Sequence, residues 1–153
     1  MPGSRPTILS KKLYKLAIGG GIAFWATSIA TSLLPIAAKY RASFADKSWS
    51  TQAVWAGSLL GGMIIALCVS YALLLLFDKR PRRNPILESV MLSLVALVIS
   101  TILIDVPKSL LGPSDALHYF PIGIMLNIPR FLFLGIGIGY LYKGLYASAP
   151  TSG

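Results

Sequence analysis

The chain has 153 residues, 55% of them apolar and only 12% charged, with a formal net charge of +9. A soluble domain usually carries about 25% charged residues, so this composition excludes an ordinary soluble fold. One cysteine and one histidine exclude an intramolecular disulfide, a cysteine metal site and a histidine-rich metal site.

The apolar residues are gathered into long runs: residues 16–38, 48–77 and 89–104 contain no charged side chain. About 20 apolar residues span a bilayer as a helix. The runs are continuous rather than alternating, which argues against barrel strands. The expected fold is therefore all-α, an integral membrane four-helix bundle with short loops. It forms a single domain over residues 13–146, with spans near 13–38, 52–77, 85–106 and 119–143.

Residues 1–12 are basic and carry Pro2, Gly3 and Pro6, and are expected to be a disordered tail. The uncharged run that follows is longer than the ~7–15 residues of a signal-peptide core. The first helix is therefore expected to stay in the protein. It contributes Gly19, Gly20, Gly21, Thr27, Ser28, Thr31 and Ser32 to packing, and residues 39–51 should form a loop. Trp49 and Trp55 then mark an interface, where amphipathic aromatics settle.

The second helix carries small residues four apart, Ser58, Gly62, Ala66 and Ser70, beside a GxxxG at Gly57 and Gly61. Small residues let helices approach closely in a bilayer. Packing within the chain is the main expectation, and homo-oligomerisation the alternative. Cys68 reads as a small apolar filler. Next comes DKRPRRNP, whose Lys79, Arg80, Arg82 and Arg83 form a cluster suited to anionic headgroups. Its shortness predicts that the second and third helices are antiparallel neighbours. Asn84 followed by Pro85 is a helix-start signal, and Pro107 is expected to end the third helix. Along it, Ser89, Ser93, Ser100 and Thr101 are candidates for a polar path, although membrane serines more often bond their own helix. The segment KSLLGPSDALHYFP should lie on the membrane surface.

The fourth helix raises the main question. Asn127, Pro129 and Arg130 interrupt an otherwise apolar segment. Aromatics at Tyr119, Phe120, Tyr140 and Tyr142 mark both ends of a long helix that is kinked at Pro129 and places Arg130 near mid-membrane. The alternative is a shorter helix starting at Pro129, which would put Arg130 within reach of Asp105. In the long helix, Glu88 and Asp105 each lie roughly 12 Å from Arg130 along the membrane normal. They are ion-pair partners only at a stretch, and carbonyls freed at Pro129, first-helix hydroxyls or a bound anion are the other candidates. Arg130 and Asn127 are thus the candidate ligand or ion site. Gly135 and Gly139 form a second GxxxG, and residues 147–153 a flexible tail.

The positive-inside rule accounts for the net charge without nucleic acid. Arg5, Lys11, Lys12, Lys15, Lys79, Arg80, Arg82, Arg83 and Lys143 fall on one side of four spans, against Lys39, Arg41, Lys47 and Lys108 on the other. Both termini are expected in the cytoplasm, in a bacterial cytoplasmic membrane. The sequence shows no nucleophile–base pair, metal-ligand cluster or phosphate-binding loop, so no enzyme, metal or cofactor is expected. The expected function is that of a non-enzymatic accessory, assembly or interaction subunit, working through lipid, a membrane-protein partner or a second copy. The alternative is a small oligomeric transporter or channel with an anionic solute or lipid headgroup near Arg130.

Overall fold

The structure is a computed structural model, and it describes residues 5–44, 50–79 and 84–147. Those residues are all helical or short connections. In chain order they form α1 (Arg5–Ser32), α2 (Pro35–Phe44), α3 (Thr51–Lys79), α4 (Pro85–Ser100), a π turn (Thr101–Asp105), α5 (Val106–Leu111), α6 (Ala116–Tyr142) and a second π turn (Lys143–Ala147). Four stretches are long and apolar enough to cross a membrane: Ser10–Ser32, Gln52–Phe77, Pro85–Leu111 and Ala116–Tyr146. The protein is a multi-pass membrane protein.

The start of α1, the end of α3, the start of α4 and the end of α6 lie together. The Lys12 ammonium sits 4.7 Å from the centre of the Tyr146 ring, the Phe77 and Tyr142 rings are 4.8 Å apart, and Gly139 abuts Ile86. This is the terminal end of the bundle, and the other is the distal end. α1 packs broadly on α3 and α6, and α4 packs mainly on α6. The expected neighbours α3 and α4 touch only lightly. Leu16, Leu73, Leu134 and Ile138, with Phe24 and Phe131 in edge-to-face contact, fill the centre.

Glycines make two of the close helix approaches. A Cβ at Gly62 would fall 2.6 Å from the Phe24 ring, and one at Gly20 would fall 3.2 Å from Ala66 Cβ. The Gly62/Ala66/Ser70 part of the α3 stripe therefore faces α1, with Ser70 a fully buried small filler. Gly135 and Gly139 bring α6 onto α4, where a Cβ would lie 2.8 Å from Val90 Cα or 2.5 Å from Ile86 Cα. Ser89 donates a 2.6 Å hydrogen bond to the Gly135 carbonyl across this contact. Ser93 and Ser100 bond carbonyls three residues back in their own helix. Gly57 and Gly61 differ: nothing lies within 4 Å of a Cβ at either, so that GxxxG packs against no part of the described chain.

Several boundaries differ from expectation. α1 starts at Arg5, within the stretch read as a tail, and it ends at Ser32 rather than residue 38. The cause is Pro35, which lacks an N–H and disfavours helical geometry at Leu34. The chain turns at Leu33 and Leu34 and restarts with Pro35 in the first turn of α2, so much of the expected loop is helix. Asn84 caps α4 as expected, accepting from Ile86 N at 3.1 Å. Pro107, however, does not end the third span. Val106 N–H bonds Thr101 O five residues back, and this wider π turn lets the span continue through Pro107 to Leu111. The cluster residues Arg80, Arg82 and Arg83, like Trp49 and residues 148–153, lie outside the described residues. Lys79 closes α3.

Candidate functional site

α6 is helical throughout Ala116–Tyr142, with Pro121 and Pro129 inside it. Pro129 offers no N–H to the carbonyl of Met125, four residues earlier. The Arg130 backbone therefore sits mid-helix, but its charge sits elsewhere. Gly20 of α1 lies beside Ile138 of α6. Counting from that level toward the distal end, Arg130 is about 12 Å away and Thr31 about 16 Å. Side chains lean toward the N-terminus of their own helix, which for α6 means the distal end. The Arg130 guanidinium accordingly climbs to Thr31, the penultimate residue of α1, and donates from Nε to Thr31 Oγ1 at 2.9 Å. Its Nη1 donates to Asn127 Oδ1 at 3.2 Å, one turn back on α6. Thr31 in turn donates to the Ser28 carbonyl at 3.1 Å, so its oxygen is oriented to accept.

The guanidinium lines a cleft of about 290 Å³ at the distal end. α1 supplies Ser28 and Ser32, α2 supplies Tyr40 and Arg41, and α3 supplies Trp55 and Ser58. The third span adds Asp105 and Lys108, and α6 adds Gly123, Asn127 and Arg130. Arg41 is fixed by bonds from Nη2 to Ser32 O at 2.9 Å and from Nε to Ala37 O at 3.4 Å. Tyr40 lies over Gly123, where a Cβ would come 2.7 Å from the phenol oxygen. Burial raises the Tyr40 pKa above 10.0; the Asp105 carboxylate adds to this and the Arg130 charge opposes it. The phenol thus lies within electrostatic reach of both charges.

Among the described residues, Arg130, Arg41 and Lys108 form no ion pair with Asp105. Glu88 is remote, in the first turn of α4 at the terminal end. The two arginines share one cleft, and among the described residues they are held by neutral oxygens. No family model, curated protein or solved structure matches this chain.

Of the residues singled out from sequence, the structure brings Arg130, Asn127, Asp105 and Ser58 together. It leaves Glu88 apart and gives Gly62, Ala66, Ser70, Gly135 and Gly139 to helix packing. Sequence reasoning missed Tyr40, Arg41 and Lys108 as site residues. A signal for two of them was present: Ala37, Tyr40 and Arg41, directly after Pro35, have the i, i+3, i+4 spacing of one helix face.

Proposed function

We propose that this multi-pass protein is non-enzymatic and that its distal cleft binds an anionic group through Arg130 and Arg41. The observation that carries this reading is the pair of guanidiniums in one cleft, each oriented by neutral acceptors and neither ion-paired among the described residues. Hydrogen bonds to charged groups contribute about 1.5–3 kcal/mol. An arginine at the centre of a span costs roughly 2.5–3.5 kcal/mol on insertion scales, and one whose charge lies nearer the distal end costs less. An anion bridging the two side chains offsets much of that cost. Arginine suits the task because its planar fork matches phosphate and carboxylate oxygens.

The basic asymmetry supports an orientation with the terminal end in the cytoplasm and the cleft on the opposite face of a cytoplasmic membrane. Apolar packing beneath the cleft, around Phe24, Phe131 and Leu134, favours a binding protein over a conduit. The accessory-subunit reading has its own support in the open Gly57/Gly61 face, where a partner helix or a second copy can approach closely.

The test is equilibrium binding of a water-soluble short-chain phospholipid to the purified protein in a neutral detergent. Arg130→Gln and Arg41→Gln should each weaken binding at least roughly tenfold, or about 1.4 kcal/mol. Unchanged affinity in both variants would overturn the proposal.

A further inference from the structure

We infer that the cleft takes a zwitterion, a phosphodiester carrying a primary ammonium, of the phosphoethanolamine type. The phosphate is bound by Arg130 and Arg41, and the ammonium by Asp105. This rests on the anion-binding reading and adds the second charge of the ligand.

Opposite charges in a small cleft ordinarily close on each other. Here they are held apart. Arg130 is tied to Thr31 and Asn127, and Arg41 to the carbonyls of Ser32 and Ala37. Asp105 closes the π turn and lines the same cleft without an ion pair to either arginine. A simple anion on the arginines would face this carboxylate and be repelled by it. A ligand that extends an ammonium past its phosphate meets both signs favourably.

Size and setting agree. At about 290 Å³ the cleft is near the lower limit of small-molecule sites, roughly 300–1,000 Å³, which suits a headgroup rather than a nucleotide. The distal end also keeps Leu33, Leu34, Leu110 and Leu111 exposed. These leucines flank the distal ends of the first and third spans, which suits a rim between acyl chains and headgroups. The Thr101 side chain hydrogen-bonds Asp105, and Lys108, exposed at the cleft, acts electrostatically on it, so Lys108 is the charged competitor of the ammonium for the carboxylate.

Binding of short-chain phosphatidylethanolamine and phosphatidylglycerol to the intact protein separates these cases, because the two share a phosphodiester and differ in the ammonium. Phosphatidylethanolamine should bind roughly tenfold tighter. Asp105→Asn should abolish the preference by weakening phosphatidylethanolamine binding and strengthening that of phosphatidylglycerol, whose saturable binding also reports a folded variant. Competition by soluble glycerophosphoethanolamine at similar concentration would identify a free solute as the ligand. Its failure to compete would identify a membrane lipid. Equal affinities in the unaltered protein, as expected if Lys108 satisfies Asp105, overturn the zwitterion assignment and leave the anion site standing. A preference that survives Asp105→Asn does the same. Absence of saturable binding by either lipid overturns both readings.

Discussion

Gly135→Ala, compared with Gly57→Ala, tests how the bundle is held together. A methyl group at residue 135 would lie 2.8 Å from Val90 Cα and 2.9 Å from Ser89 O, and would also meet the Ser93 hydroxyl. Two of these neighbours are backbone atoms and cannot swing away. Carbon contacts are comfortable from about 3.5 Å, so α4 and α6 must part by roughly 0.7 Å. Overpacking of this kind costs about 1–3 kcal/mol. The separation also stretches the bond from Ser89 Oγ to the Gly135 carbonyl, and interhelical bonds in membranes average about 0.6 kcal/mol. The expected loss is about 2–3 kcal/mol. At Gly57 nothing lies within 4 Å of the added carbon, so the change should stay within about 0.5 kcal/mol. Both variants gain the same helix propensity, and their difference therefore isolates packing. Unfolding by SDS titration in mixed micelles measures it. Equal stability of the two variants would refute the close α4–α6 contact.

Other consequences can be measured in the same preparations. Gly123→Ala should displace Tyr40 and weaken short-chain phospholipid binding several-fold at little cost in stability; unchanged affinity would separate Tyr40 from the site. Tyr40 should remain protonated above pH 10 in the folded protein, as read from the difference in phenolate absorbance between the parent and Tyr40→Phe. Because its folded pKa lies above the unfolded value, its stabilising contribution is full below pH 10 and fades as pH rises through the folded pKa; ionisation at or below the ordinary value would contradict its burial. In a Cys68→Ala background, a cysteine replacing Ser114 should react with an impermeant thiol reagent in intact cells, and one replacing Arg82 should not. The reverse pattern would invert the proposed orientation.

The spans were legible because long uncharged runs leave few alternatives once backbone hydrogen bonds must be satisfied in lipid. The α4 start was legible for a local reason, since Asn84 and Pro85 carry the capping chemistry themselves. Pro35 and Pro107 look alike in sequence but act differently. The first breaks a span, whereas the second is absorbed by a π turn, which widens the helix and leaves no mark in composition. The cleft was half legible. Arg130 and Asn127 stand out against apolar neighbours, but the distal position of the charge depends on side-chain direction and on the register of α1 against α6. Tyr40 and Arg41 reach the site only because the chain folds back after Leu34, and Lys108 only because the third span outlasts Pro107. The two GxxxG motifs show the same dependence on context, since Gly135 and Gly139 are packed while Gly57 and Gly61 are open.

The most direct test of the anion cleft is an experimental structure of the protein extracted with its native lipids. The account predicts a phosphate or carboxylate group within about 2.7–2.9 Å of both the Arg130 and Arg41 guanidiniums, with Arg130 still bonded to Thr31 and Asn127. A cleft in which Asp105 closes onto Arg130 as an ion pair, with no anion between the arginines, would contradict it.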